Sequence, residues 1–444
     1  MPRKQGVAGG VAAFGKNSLS RQEFVKLGGA GLAGVVLLGA SGCGGDSEGS
    51  DDLVFANFPD PGVVPNLIKK FNKNRGKSEV ILREMPQDRQ EYFEKLTTEF
   101  QVRGGKIDVT AGDDIWTAEL AENEWIADVS NRFSESERSK FLDGPLQSLV
   151  YEGKIYGIPW STDAGMLYYR KDLLEKSGFS GPPATWEELK EMAKKAVQES
   201  GTRFGFVFQG ANYEGGVCNA LEFIWTHGGE VLDPDDSSKV IIDSSESIAG
   251  LTAEQSMVSE GVTPQTVANY TELESETTFL KGDAVFCRNW PYMYEMITIS
   301  DISRIQPEQV GVAPLPVGEG QSHAVSCLGG SNILINASSE MKDEAWEFAR
   351  FMTSEESQKM RTPFNSPTLK TLYDDPEVLE PMPVIALGKE ALQNAKPRPV
   401  SPHYSEMSSK MAEQFNGILR GAISAEEAVK TLQIELQQII EQGQ

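Results

Sequence analysis

Cysteine and histidine are scarce in this chain, four of the first and three of the second among 444 residues. There is no CxxC pair, and Cys218, Cys287 and Cys327 lie far apart, so the usual spacing of a zinc site is missing and neither metal nor cofactor is called for. Because three is odd, at most one disulfide can form among them in an oxidising compartment, and spacing does not name its partners. Positive charge is also in deficit, since 41 Lys and Arg face 65 Asp and Glu for a net −24. So acidic a chain repels nucleic acid and anionic lipid. No GxxxxGK phosphate loop is present. Nor is there an apolar run of the roughly 20 residues a membrane helix needs; 27–40 is shorter and rich in glycine.

What is present begins with the leader. Arg3, Lys4, Lys16, Arg21 and Lys26 precede the apolar run 27–40, in the order of a signal peptide. Ala40-Ser41-Gly42-Cys43 resembles a lipobox with alanine in place of the more usual leucine, which predicts cleavage after 42 and acylation of Cys43. The other reading is a buried cysteine in a core helix. Gly44-Gly45-Asp46-Ser47-Glu48-Gly49-Ser50 favours the lipobox, since it continues as a flexible tether over 43–51. Ser20-Arg21-Gln22-Glu23-Phe24-Val25-Lys26 resembles a twin-arginine signal with Gln22 in the second arginine's place, so the export route stays open. Residues 1–42 carry five basic side chains and one acidic, and their removal takes the net charge from −24 to about −28. The remainder, about 400 residues, exceeds what one hydrophobic core usually supports, so two domains are expected.

Periodicity predicts a strand at 53–58, then a helix from Pro61-Gly62 with Val63, Leu67, Ile68 and Phe71 on one face. A second strand at 78–85 leads to a helix capped by Asp88 and carrying Tyr92, Phe93, Leu96 and Phe100. Strand, helix and strand joined by short links mean an α/β fold with mostly parallel sheets flanked by helices. Thr185-Trp186-Glu187-Glu188 and Ser424-Ala425-Glu426-Glu427 read as capping boxes that open two more helices. Strands at 310–315 and 331–335 and a helix over 343–352 complete the pattern.

The run Gly157-Ile158-Pro159-Trp160-Ser161-Thr162-Asp163-Ala164-Gly165-Met166-Leu167-Tyr168-Tyr169-Arg170 resembles the hinge-crossing segment of family-1 extracellular solute-binding proteins. Asp108-Val109 leading to Asp114-Ile115-Trp116, then Phe279-Leu280-Lys281-Gly282-Asp283, Arg288-Asn289-Trp290-Pro291, Leu328-Gly329-Gly330 and Ala345-Trp346-Glu347-Phe348 follow in the family's order. Thr162-Asp163-Ala164-Gly165 and Pro397-Arg398-Pro399-Val400 are most similar to its trehalose/maltose-binding branch. The resemblance implies a two-lobed periplasmic-binding-protein-like fold with a multi-strand hinge, its first lobe from 52–159 with 308–352 and its second from 160–307 with 353–444. It also implies a monomer that closes on a mono- or oligosaccharide, a disaccharide such as trehalose or maltose, and delivers it to the permease of an ABC importer. Such a protein meets the membrane by its lipid anchor only. Ser161 and Ser331 stand where that branch favours aromatics.

Sugar chemistry selects candidates without the family. A sugar ring offers apolar C–H faces and a girdle of hydroxyls, so its site needs an aromatic plate with carboxylate, amide and guanidinium groups around it. Trp290 precedes a proline, which favours a loop or strand end, and reads as a stacking platform or as core. Asp163, between a Pro-Trp turn and the apolar-aromatic run 166–169, is a ligand group or a helix cap. Asp114 is a carboxylate at a strand's carboxyl end, where open α/β sheets bind ligands, or the next helix's N-cap. Asp113 beside it should face the opposite way. By resemblance Arg89 and Arg398 reach sugar oxygens, although arginines often sit in surface ion pairs. Gly330 admits backbone close to ligand or is a plain strand glycine. Asp60 and Tyr404 complete the set.

Two further readings stay open. Asp114 and Asp163 could be the paired carboxylates of a secreted glycoside hydrolase. The same fold could instead hold a polyamine, a peptide or an iron chelate, with Asp60, Asp114 and Asp163 around a dication.

Overall fold

The computed structural model describes residues 52–443 apart from 61, 74–78, 88, 103–105, 363–364 and 381. The leader, Cys43, the tether, Pro61 and the expected cap Asp88 lie outside the described residues.

Strands that organise the chain are β1 (Leu53–Asn57), β2 (Val80–Glu84), β3 (Val109–Asp113), β4 (Ile158–Ala164), β5 (Met166–Arg170), β6 (Phe204–Val207), β7 (Ala284–Asn289), β8 (Val310–Ala313), β9 (Ser326–Ile335) and β10 (Ala395–Lys396). The helices that matter here are α1 (Val63–Lys73), α2 (Arg89–Gln101), α3 (Thr117–Glu122), α4 (Trp186–Ser200), α5 (Glu214–Thr226), α6 (Ser245–Ser259), α7 (Lys342–Met352), α8 (Glu355–Arg361), α9 (Tyr404–Leu419) and α10 (Ala425–Gln442).

One sheet runs β10-β9-β3-β1-β2, with β4 also paired to β9. Its β1, β2 and β3 are parallel, and β9 lies antiparallel to both β3 and β4. The other sheet runs β8-β5-β7-β6. The predicted helical faces are in place: Leu67 and Ile68 of α1 and Tyr92, Phe93, Leu96 and Phe100 of α2 are buried. Both capping boxes form, with the Glu188 amide donating to Thr185 Oγ1 at 3.1 Å and the Glu427 amide to Ser424 Oγ at 3.2 Å.

The passage between sheets fixes where a site can lie. β4 stays paired with β9 through Ala164, the chain crosses at Gly165, and β5 then enters the second sheet. Val310–Ala313 pairs with β5, so the chain returns to the first sheet only at Ser326. The strand exchange thus falls a few residues beyond the 159 and well beyond the 308 that the resemblance implies, because backbone pairing sets it. Gly165 has a tertiary reason to be glycine: an added Cβ would run into Glu222 Oε1 and the Arg288 guanidinium.

Three apolar cores support this frame. Phe55 meets Phe348 and Trp160 edge-on at 5.1 and 5.9 Å beneath the first sheet. Trp186 stacks on Phe223 at 4.0 Å beneath the second. Leu221, Met411, Phe415, Leu432 and Leu436 join α5, α9 and α10. Among the described residues no helix is long and apolar enough to cross a membrane, and no group of three or more His, Cys, Asp or Glu is placed to hold a metal ion.

Candidate functional site

The end of β7 presents Trp290, where Pro291 stops the strand. Its indole is partly buried, with the Arg288 guanidinium 4.1 Å from the ring centroid and Nε1 donating to Glu272 Oε1 at 3.2 Å. Tyr168 holds the turn by donating to the Trp290 carbonyl at 2.8 Å. Across from it, Gly329 brings two candidates together: a Cβ there would lie 3.2 Å from Trp290 Cζ3 and 3.5 Å from the Cβ of Asp163.

Asp163 sits near the end of β4, not at the start of a helix. Among the described residues no donor reaches its carboxylate. Burial pushes this acid up to about 7, against the pull of Arg89 and Arg361 and with the push of Asp113. Arg361, at the end of α8, is its buried neighbour. The Arg361 guanidinium lies 3.4 Å over the Trp160 ring and donates to Asn365 Oδ1 at 2.9 Å, and among the described residues its Nη1 has no partner. Burial lowers Arg361 to about 10, a drop that Asp60 and Asp163 oppose.

Asp113 and Asp114 do not diverge as strand alternation predicts. β3 ends at Asp113, Asp114 lies in the following turn, and both carboxylates accept from Arg398 Nη2, at 3.2 and 2.5 Å. The second guanidinium nitrogen, Nη1, donates to Glu214 Oε1 at 2.7 Å. Arg398 is buried, so this is an interior bridge from β3 to the first turn of α5, not a surface ion pair. Burial alone would raise both aspartates. Arg89 and Arg398 overcome it at Asp113 and hold that carboxyl low; at Asp114 burial and the adjacent Asp113 win over Arg398, and the carboxyl is raised well above the usual range. Asp114 is not a helix cap, since α3 starts after Trp116. Among the described residues its Oδ2 and the Arg398 Nε have no partners, and both residues line one small cavity with Ser148, Pro397 and Val400.

The remaining candidates have local duties. Arg89 is ion-paired with Asp113 and lies 5.0 Å over the Phe58 ring. Asp60 Oδ1 accepts the amides of Gly62 and Val64 at 3.0 and 2.9 Å, which holds the start of α1. Gly330 has φ +137°, a conformation that favours glycine, and a Cβ there would strike the Ser161 carbonyl. Tyr404 is fully buried, and its hydroxyl donates to Glu214 Oε1 at 2.8 Å, so it supports the carboxylate that supports Arg398.

Residues 56–359 match the family model of the bacterial extracellular solute-binding protein. The chain belongs to that family. A probable ABC transporter-binding protein of Deinococcus radiodurans is 34% identical over 351 residues, covering 77% of this chain and 82% of that one. The maltose-bound MalE3 of T. maritima superposes with a TM-score of 0.77 at 36% identity, over 87% of this chain and 99% of that one. A maltotriose-binding protein of Pyrococcus abyssi is 24% identical over 315 residues, 69% of this chain and 63% of that protein.

Among the described residues of this solute-binding protein, Asp114 Oδ2, Trp160 Nε1, Thr162 Oγ1, Asn289 Nδ2, Arg361 Nη1, Ser366 Oγ and Arg398 Nε are buried without hydrogen-bond partners in or beside these segments, while Thr117 Oγ1, Ser177 Oγ and both Glu254 oxygens are among those that lie elsewhere. Buried polar groups are nearly always hydrogen-bonded, so each exception asks for a cause. Trp160, Arg361 and Glu214 were not singled out in the sequence. Glu214 opens a helix, which is an ordinary place for an acid. Arg361 gains its meaning only from Trp160, two hundred positions away.

Proposed function

We propose that this protein captures a carbohydrate between its two sheets, a disaccharide such as maltose or trehalose, and hands it unchanged to the permease of an ABC importer. The observation that carries the reading is the set of unpaired buried donors and acceptors of both kinds around Trp290, Trp160, Asp163 and Arg361. A polyhydroxylated ligand supplies both donors and acceptors, and a tryptophan face supplies the apolar contact its C–H groups need. Arg288 covers one face of the partly buried Trp290 ring, and the sugar ring is assigned to the other. The maltose-bound T. maritima relative and the P. abyssi maltotriose-binding protein support this substrate class. A dication such as a polyamine suits the site poorly, because Arg89, Arg361 and Arg398 stand among the aspartates. A hydrolase would need one protonated and one ionised carboxyl flanking a glycosidic bond, whereas Asp114 is tied to Arg398.

The two sheets are the proposed lobes, moving about the β4–β5 crossing and the chain leading to β9. Lipid attachment through Cys43 and a monomeric state complete the reading. Titration calorimetry with maltose, trehalose, maltotriose and spermidine tests it: a sugar should bind and be recovered intact. Spermidine binding alone, or release of monosaccharide, would overturn it. Cys43→Ala should move the protein from the membrane fraction to the soluble one, and unchanged membrane association would reject the lipid anchor.

A further inference from the structure

The three buried thiols of the described chain are free, but they are not equivalent. Cys287 faces Met293 Sδ at 3.9 Å and the Ser275 carbonyl at 3.8 Å, inside the second sheet's own layer. Cys218 and Cys327 come from different sides of the inter-sheet passage and meet in one core, 2% and 0% exposed. Their meeting follows from α5. Glu222 sits one turn after Cys218 on the same face of that helix, and Glu222 Oε1 accepts the backbone amide of Cys327 at 2.9 Å. The Cys218 side chain is thereby aimed at β9 beside Cys327, and the two thiols interact. The backbone of this part of β9 holds the crossing: Gly165 N donates to the Cys327 carbonyl at 3.3 Å, and Ser326 Oγ to the Gly165 carbonyl at 2.7 Å.

We propose that Cys218 and Cys327 are a disulfide-forming pair that ties α5 to β9 at the inter-sheet crossing, with Cys287 left as a free thiol. The family is extracellular, where thiol oxidants are available. With glutathione disulfide as oxidant, one cysteine thiolate attacks a glutathione sulfur and expels the first glutathione thiolate. The second cysteine thiolate then attacks the mixed disulfide and expels the other. Two protons leave the protein, two electrons pass to glutathione, and one S–S bond forms. Burial opposes the thiolate of Cys327, so the bond forms while the chain folds and only slowly in the folded protein. The inference is independent of the ligand.

The test refolds the full chain from guanidinium chloride with either glutathione disulfide or excess reductant, then counts thiols under denaturing conditions and maps peptides by mass spectrometry. The expected result is the loss of two thiols and one linked peptide pair, Cys218 with Cys327, lighter by two hydrogens. Cys287→Ser should leave that loss intact, and Cys327→Ala or Cys218→Ala should abolish it. The oxidised form should melt on the order of 5 °C above the reduced form, because a cross-link closing a long loop restricts the unfolded chain. An unchanged thiol count, or a link through Cys287, would overturn the proposal. The mapping of the unsubstituted protein decides the matter even if an alanine variant fails to fold.

Discussion

Two buried arginines, Arg288 and Arg361, occupy neighbouring parts of this molecule and are treated in opposite ways. Arg288 is 1% exposed and complete: Nε donates to Glu222 Oε2 at 2.7 Å, Nη2 to Glu222 Oε1 at 2.5 Å and Nη1 to Gln209 Oε1 at 3.1 Å. Gln209 is held in turn by Asn219, which donates to its Oε1 at 3.0 Å. Arg361 is 7% exposed and stacked on Trp160, and among the described residues it stands by an aspartate with no donor and is still short of a partner at Nη1. A completed buried pair is a structural device, costly to break and weak as a net stabiliser. An incomplete one costs stability in the free protein and gives a ligand something to complete. The difference teaches how to separate frame from site between these two arginines: by what each still lacks, not by its depth.

The largest effect should come from breaking the completed pair. Glu222→Ala leaves Arg288 buried without its counter-charge and should cost about 3–5 kcal/mol of folding stability in denaturant melts, with or without sugar. A loss below 1 kcal/mol would mean that the two arginines do not differ as argued.

Glu254 on α6 sharpens the comparison, because among the described residues neither of its buried oxygens has a partner. Burial, aided by Glu222, pushes it up to about 8. A folded-state value above the unfolded one means that the folded protein holds this proton longer. Its stability is therefore full below about pH 4.5 and falls as pH rises through 8, by about 1.4 kcal/mol per pH unit inside the window. Glu254→Leu should flatten this fall without altering sugar affinity. If the pH dependence of the melt is unchanged, Glu254 is solvated and the comparison loses its control.

A smaller effect belongs to Asp163. Asp163→Asn should weaken binding by roughly 1.5–3 kcal/mol, the scale of a charged hydrogen bond, and leave the ligand-free melting temperature close to that of the parent. Since burial holds this acid near 7, sugar affinity should rise as pH passes from 6 to 8 and the acceptor ionises, and the asparagine variant should lose that dependence. A large stability loss with unaltered affinity would make Asp163 a structural group.

Much of the frame was legible because its causes are local. Thr185 and Ser424 announce helices by a side chain and an amide three residues apart, and the faces of α1 and α2 repeat at helical spacing. The candidate site was legible only in part. Trp290 and Asp163 were placed in the same region, and Gly329 joins them. Asp113 was set aside on alternation, a rule that lapses where the strand ends. Arg361 carries no local signal at all, and Gly165 looks like any turn glycine until Glu222 and Arg288 arrive from distant segments. The resemblance points to Arg398 and the sequence offers Tyr404 as a further candidate; here they brace one carboxylate, Glu214, from two sides.

The central claim is that Trp290 is half frame and half site, and one titration tests it. Trp290→Ala should lower the affinity for the best-binding sugar by about 2–4 kcal/mol, roughly thirty- to a thousand-fold, through lost contact and buried area. Trp290→Phe should recover much of that loss, while the ligand-free melting temperature of both variants stays near the parent's. Normal binding by Trp290→Ala, or a loss of about 3–5 kcal/mol in stability without sugar as for a core tryptophan, would contradict the account.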